Sequence, residues 1–502
     1  MTSQTVDQRR TLGALIGGDG DVPEGARSLP IAQVALDSRK VAHGALFAAL
    51  PGSTVDGARF VPQALAAGAS AILCARDADV DDDLVPVVRC DDPRRTLALA
   101  ASRFFARQPD VAVAVTGTSG KTSVAEFTRQ MFAKAGHQAA SVGTLGIVRP
   151  DESAYGGLTT PDPVTLHQTL AELAGEGVTH LAFEASSHGL DQRRLDGVHL
   201  QAAAFTNLGR DHLDYHADEA DYFRAKLRLF DTLLPDGKPA VVFTDAGLHR
   251  DRNSPVRKVI DTVAKRGGQV VLAGASDGDI FVTDQRDADG QMVLGLSVYS
   301  AAFETAFPLI GDYQVANVLV ALGLATAVGV DAATAVAALG TMKGVPGRLE
   351  PIGQVNGARV LVDYAHKPDA LEAVLTTLKL SGAARVICVF GCGGDRDAGK
   401  RPMMGAIAER LADRTIVTDD NPRTEDPAAI RQAILAAAPS AREIGDRAEA
   451  IGAAISEARA GDMLVIAGKG HETGQIVGDQ VLPFSDQDVA RAAITAHGGS
   501  VV

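Results

Sequence analysis

The sequence predicts an α/β protein of several domains, one of them a phosphate-binding domain on a largely parallel sheet. Short apolar runs alternate with helix-length stretches along most of the chain, and most runs end in polar, Gly- or Pro-bearing residues. One run, Val111 to Val115, opens into a glycine-rich turn that closes on Lys121-Thr122. The 502 residues, 46% of them hydrophobic, are enough for roughly two to four domains.

Residues 1–108 read as short strands and helices: Asp37-Ser38-Arg39, then Gly44 to Leu50 and Gly52 to Gly57, followed by alanine-rich helices. The polar, Pro-bearing Arg107-Gln108-Pro109-Asp110 marks a boundary. The phosphate loop Thr116-Gly117-Thr118-Ser119-Gly120-Lys121-Thr122 comes next. Gly117 and Gly120 let successive N–H groups converge, Lys121 brings a point charge to the β/γ-phosphates of ATP, and Thr122 offers a hydroxyl to Mg²⁺. Val115 stands where the usual first glycine would fall, so the turn is shorter than the common form. A helix is expected from Ser123 to Lys134.

Thr179 to Ser187, Ala202 to Leu208 and Ala240 to Thr244 are expected strands. In open α/β sheets the ligand crevice lies at the carboxyl ends of the strands, which singles out Glu184 to Leu190 and Asn207 to His216. Glu184 could face Thr122 and complete a magnesium site; a solvated or helix-capping glutamate is the plain alternative. Asp211, His212, Asp214 and His216 crowd a loop that has no cysteine, which favours a hard cation over zinc. Turn and capping chemistry accounts equally for the two aspartates. Lys226 lies on a helix over 221–230 and, on periodicity alone, reads as a surface lysine. A second break at Gly344-Val345-Pro346-Gly347-Arg348 precedes strands at Ala358 to Asp363, Arg385 to Phe390, Thr415 to Thr418 and Met463 to Ala467.

Lys and Arg number 48 against 62 Asp and Glu, a net charge of −14. A broad nucleic-acid footprint is therefore not expected, and anionic ligands must be held by local donors. Of Cys74, Cys90, Cys388 and Cys392, only the last two are close in sequence, without a second pair for zinc. Reducing cytoplasm fits that usage. Met1 to Gly20 has no apolar leader pattern, and no run reaches the about 18 apolar residues of a membrane span.

The phosphate loop, Glu184 to Leu190, Asp211-His212-Leu213-Asp214-Tyr215-His216, Gly311 to Asn317, Gly347-Arg348-Leu349-Glu350 and Asp363-Tyr364-Ala365-His366 together resemble the Mur ligase family, in order and over nearly the whole chain. These are ATP-dependent amide-forming enzymes of peptidoglycan precursor assembly. The resemblance implies a UDP-substrate-binding domain over 1–108, a central ATP-binding domain over 109–346 and a Rossmann-like amino-acid-binding domain over 347–502. It implies that Gly117, Thr118, Ser119, Gly120, Lys121 and Thr122 hold ATP, with Asn317 against the adenine and Arg348 and Asp363 reaching across a domain cleft. Thr122, Glu184 and His212 become metal ligands, together with Lys226 as a carbamate; Lys121, Lys226 and His212 become the catalytic set. Leu36, Ser38, Ser53, Thr54 and Val55 map onto the uridine side of the UDP-N-acetylmuramoyl-L-alanyl-D-glutamate site. Thr159, Thr160, Ser186, Gln192 and Arg194 map onto its muramoyl-dipeptide side. Asp162-Pro163, next to these, reads as a plain helix start.

Within the family, Asp420-Asn421-Pro422-Arg423 resembles the signature of members that add meso-2,6-diaminopimelate. A guanidinium suits the second carboxylate of that amino acid, which L-lysine lacks. Arg396, Gly468 and Glu472 match further positions of the same pocket, with Glu472 placed to pair with the distal ammonium. The alternatives are a lysine-adding ligase on the same scaffold, a folylpolyglutamate synthase-like ligase, and a nucleotide-switched binding protein.

Overall fold

The computed structural model describes residues 10–502 except 53–54, 82, 151–152, 155–158, 246, 275 and 289–290. Three large sheets follow one another along the chain. The first is a four-stranded parallel sheet in sequence order: β1 (Gln33–Ala35), β2 (Ala45–Ala49), β3 (Ala69–Ala75) and β4 (Val87–Cys90).

The second sheet has eleven strands. They are β5 (Val111–Thr116), β6 (Ala139–Gly143), β7 (Gly146–Val148), β8 (Ser153–Ala154), β9 (His180–Glu184), β10 (Ala202–Phe205), β11 (Ala240–Phe243), β12 (Val270–Ala273), β13 (Ile280–Ala288), β14 (Gln291–Val298) and β15 (Ala301–Phe307), in the order β15-β14-β13-β12-β11-β10-β5-β9-β6-β7-β8. Its middle is parallel, as expected, and reads as continuous apolar runs because both faces are covered. On one face the helix Asp312–Ala327, apolar almost all round, packs with Lys121–Lys134; Pro163–Gly175 and Pro255–Lys265 cover the other. Both edges are antiparallel, which the reading of a largely parallel sheet did not anticipate. The turn between β14 and β15 uses Tyr299 and Ser300 at φ 49° and 69°. The positive φ that such a turn demands is thus met without the Gly or Asn that would announce it.

The third sheet, order β20-β19-β18-β21-β17-β16-β24, comprises β16 (Glu350–Val355), β17 (Ala358–Asp363), β18 (Val386–Phe390), β19 (Arg414–Val417), β20 (Arg442–Glu443), β21 (Met463–Ala467) and β24 (Ser500–Val501). It too has a covered core on each face. A separate hairpin joins β22 (Gly474–Val477) to β23 (Gln480–Pro483).

Register aligns the ends that matter. Val115 pairs with Glu184 and Thr116 with Phe205, so the phosphate loop, Glu184 and Thr206 leave the central sheet at one edge. Asp363 pairs with Ala467 and Phe390 with Val417, which does the same for four loops of the third sheet. Among the described residues no helix is long and apolar enough to cross a membrane.

Candidate active site

The phosphate loop is tight for steric reasons. Gly117 (φ 152°) and Gly120 (φ 88°) adopt backbone angles that favour glycine, and a Cβ would collide with Thr206 Oγ1 at the first and Asn317 Oδ1 at the second. Asn317, expected against the adenine, is buried against Gly120, and its Nδ2 donates to Gln314 Oε1 at 3.3 Å. The loop is anchored by Ser119 N–H to Asn207 Oδ1 (2.9 Å), Thr206 Oγ1 to Ser119 O (2.7 Å) and Thr118 Oγ1 against Tyr222 Oη (3.2 Å). The following helix starts at Lys121 itself, two residues earlier than expected.

Lys121 Nζ donates to Gly117 O at 2.9 Å and Thr118 O at 3.0 Å. Burial, with Lys367 nearby, brings its pKa down to about 8. Lys226 corrects the surface reading: it is 1% exposed, because Tyr222, Phe223, Ala225 and Lys226 form the inward face of the helix Glu219–Arg228. Its Nζ lies over the Tyr222 ring and donates to the same Gly117 carbonyl at 2.8 Å. Burial and the Lys121 charge hold its pKa well below the ordinary lysine value.

The third sheet contributes Arg348 and Asp363. Arg348 Nη2 donates to Thr122 Oγ1 at 3.2 Å, and its guanidinium sits over the Tyr364 ring. Asp363 is buried and accepts from the N–H groups of Leu349 (2.7 Å) and Ala365 (2.8 Å). Burial, only partly offset by Arg348, pushes its pKa up to about 6.

Glu184 is 2% exposed, and its carboxylate accepts from Thr144 N–H (2.7 Å) and Thr144 Oγ1 (3.2 Å). Asp211 is gripped by Lys367 at 2.6 Å and by His212 Nε2 at 3.0 Å; burial opposes its ionisation, and Lys367 prevails, so its pKa falls below the usual range. His212 adopts φ 53° and meets the His188 ring edge to face at 4.7 Å. Burial outweighs Asp211 and takes the His212 pKa to about 3. Among the described residues no three His, Cys, Asp or Glu side chains form a metal-holding group.

The residues that the resemblance maps onto the dipeptide do converge. Thr160 Oγ1 accepts from Ser186 N–H (3.1 Å), Arg194 Nη1 donates to Thr160 O (2.6 Å) and Arg194 Nη2 to Gln192 Oε1 (2.7 Å). Thr159 Oγ1 lies 3.1 Å from Thr144 Oγ1, and Gln192 Nε2 donates to Tyr215 Oη at 3.2 Å. Asp162 caps the helix Pro163–Gly175, the plain start that was expected. Of the residues mapped by resemblance onto the uridine, Ser38 donates to Gln63 Oε1 at 2.9 Å, Leu36 is half-buried and Val55 exposed. Ser53 and Thr54 lie outside the described residues. The ion pair Asp92–Arg193 (2.9 Å) ties this first unit to the Gln192–Arg194 turn.

In the third unit Asp420, Asn421 and Pro422 are buried, and Asp420 Oδ2 closes on Gly468, where φ is 119°. Arg423 adopts φ 52° and donates through Nη1 to Gly394 O at 2.8 Å. Glu472 Oε2 accepts from Asn421 Nδ2 and from Lys469 Nζ, each at 2.9 Å. Arg396 faces the central unit, 3.8 Å from Asp214, beside the pair Arg210–Asp397 (3.5 Å). Lys367, Thr144 and Lys469 escaped the sequence reading, since each acquires its partner only through the fold. Lys469 lies between Gly468 and Glu472, two positions singled out by the resemblance, but a lysine in a loop carries no sign of being buried.

Family models match three consecutive stretches: "Mur ligase family, catalytic domain" at 30–105, "Mur ligase middle domain" at 115–325 and "Mur ligase, glutamate ligase domain" at 347–470. The UDP-N-acetylmuramoyl-L-alanyl-D-glutamate–2,6-diaminopimelate ligase of Agrobacterium fabrum is 54% identical over 476 residues, 95% of either chain. The chain belongs to the Mur ligase family. The same-named ligase of Zymomonas mobilis is 47% identical over 97% of this chain and 99% of its own. A solved diaminopimelate ligase of that name superposes with TM-score 0.68 at 32% identity, covering 96% of this chain and 98% of that one. The folylpolyglutamate synthase of Mycobacterium tuberculosis, solved with ADP, shares the fold at TM-score 0.62 and 20% identity, over 82% and 95%. As a Mur ligase this protein is an ATP-dependent, amide-bond-forming enzyme.

Proposed function

We propose that this Mur ligase adds meso-2,6-diaminopimelate to the D-glutamyl γ-carboxylate of UDP-N-acetylmuramoyl-L-alanyl-D-glutamate, in the cytoplasm, as a step of peptidoglycan assembly. The supporting observation is that the loop carrying Arg423 and the loop carrying Glu472 leave one sheet edge as a hydrogen-bonded pair. A guanidinium and a carboxylate so linked match an amino acid with a carboxylate and an ammonium on its far end. The four cysteines, all buried free thiols, agree with a reducing compartment.

In the proposed reaction the γ-carboxylate oxygen attacks the γ-phosphorus of ATP, the bond to the bridging oxygen breaks, and ADP leaves an acyl phosphate. The amine of diaminopimelate then attacks the acyl carbon, loses a proton, and inorganic phosphate departs. Lys121 and the loop N–H groups neutralise the phosphates, Arg348 steadies Thr122, and Arg194 with Thr160 and Ser186 orients the dipeptide. Glu184 fits a magnesium ion, since among the described residues its buried carboxylate meets the neutral donors of Thr144, and the Thr122 hydroxyl is a second hard oxygen. Lys226 as a carbamate, with His212, would complete that set. Magnesium would supply charge neutralisation at the transferring phosphoryl group.

Phosphate release is the test. It should require both the UDP-dipeptide and diaminopimelate, and L-lysine should replace the latter poorly. Release that needs neither substrate would remove the proposal, and a preference for L-lysine would assign the chain to that branch instead.

A further inference from the structure

Lys469 is fully buried in the loop that follows β21. Burying an ammonium is costly unless its protons are met, and two acceptors meet this one: Asn421 Oδ1 at 3.0 Å and Glu472 Oε2 at 2.9 Å. Asn421 Oδ1 also accepts from Ile476 N–H at 2.9 Å, while Asn421 Nδ2 donates to Glu472 Oε2 at 2.9 Å. With two donors facing one end of the amide and a carboxylate facing the other, only one orientation of Asn421 satisfies every partner.

We propose that Lys469 is a positioning residue that locks Asn421 and Glu472 into one frame, so that Glu472 meets the incoming amino acid with a fixed oxygen. This rests on the reading that these loops form the amino-acid pocket. Both inward bonds fall on Oε2, which leaves Oε1 for a ligand ammonium; the Glu472 side chain is 32% exposed where that of Lys469 is 0%. The frame reaches the other end of the pocket as well. Arg423 N–H donates to Ile476 O at 3.1 Å, and Gly478 N–H donates to Arg423 O at 2.8 Å. The hairpin β22–β23 is thereby clamped between Asn421 and Arg423, and Lys469 at its root fixes the separation of guanidinium and carboxylate. Holding a two-ended ligand at its two ends selects length as well as charge.

The test is steady-state kinetics of Lys469→Met with each substrate varied in turn. The KM for diaminopimelate should rise about tenfold or more, as for a lost hydrogen bond to a charged group, while those for ATP and the UDP-dipeptide stay within about twofold. Lys469→Met and Glu472→Gln should be non-additive, the double variant losing little beyond Glu472→Gln alone. If Lys469→Met does not fold, Lys469→Gln keeps a donor towards Asn421 and should show the same split in smaller measure. A uniform fall in kcat with all three KM values unchanged, or fully multiplicative effects, would overturn the proposal in favour of a purely structural lysine. A wild-type enzyme inert towards diaminopimelate would overturn it together with the proposed function, a result visible before any variant is made.

Discussion

Arg423 occupies a left-handed backbone conformation at φ 52°, which costs a residue with a Cβ about 1–2 kcal/mol. The chain tolerates that strain because both backbone groups are held by the β22–β23 hairpin. Strain and charge can therefore be separated by substitution. Arg423→Gly relieves the backbone but loses the bond to Gly394 O, worth about 1 kcal/mol, so thermal stability should stay near wild type. The KM for diaminopimelate should rise about tenfold or more, and that for ATP hardly at all. Equal changes in both KM values would make Arg423 a structural residue. Lys226 raises a different question, because two lysine ammonium groups donate to the single carbonyl of Gly117. Converting Lys226 to a carbamate replaces one of two crowded cations with an anion. Labelling with ¹³C-bicarbonate should yield a carbamate carbon resonance in the wild type that is missing from Lys226→Ala; an identical spectrum from both proteins would discard the modification.

Elements show where sequence reading succeeds and where it stops. β17 and β21 were delimited to the residue, because a buried parallel strand is an apolar run cut off by the polar loop it feeds. The phosphate loop was legible for the same reason. β13 to β15 escape the sequence reading, because much of their described length is partly or fully exposed and forms no continuous apolar run. Lys226 falls on the apolar stripe of its own helix and is placed at the site by the resemblance, not by its residue type, whereas the burial of Lys469 depends on Asn421, a partner far away in sequence. Packing of helix on strand gives a further prediction. Gly323 lies in the helix Asp312–Ala327, where alanine would ordinarily add about 1 kcal/mol of helix propensity. A Cβ there would stand 2.6 Å from Val241 Cγ1 on β11, and the stiff valine on a central strand has no room to yield. Overpacking of about 1–3 kcal/mol should win, so Gly323→Ala should lower the midpoint of chemical denaturation. A raised midpoint would mean that the helix can shift as a body.

At the scale of the molecule, buried histidines set the acid limit. His167, on the helix Pro163–Gly175, lies 2.9 Å from Asp196 O, and burial takes its pKa down to about 4. His180, at the start of β9, is stacked on His137 and is likewise pushed down to about 4, by burial first and then by His137. In the unfolded chain both would titrate near the ordinary value of about 6.5. Between those limits the unfolded chain binds protons that the folded one refuses, so folding stability falls as pH drops from about 6.5 and levels off near 4. Asp363 works the other way: with its pKa up to about 6, the folded state takes up a proton first, and stability rises as pH falls through the same window. Each group is worth only a few kcal/mol by the usual conversion of about 1.4 kcal/mol per unit, and two histidines outweigh one aspartate. A chain with three separate sheets need not unfold in one step, so the quantity to follow is the first thermal transition. Its midpoint should fall between pH 6.5 and 4, and His167→Leu, which removes the titration while filling the site with apolar volume, should flatten that fall. An unchanged acid slope in His167→Leu would place the sensitivity elsewhere, first at the stacked His137–His180 pair.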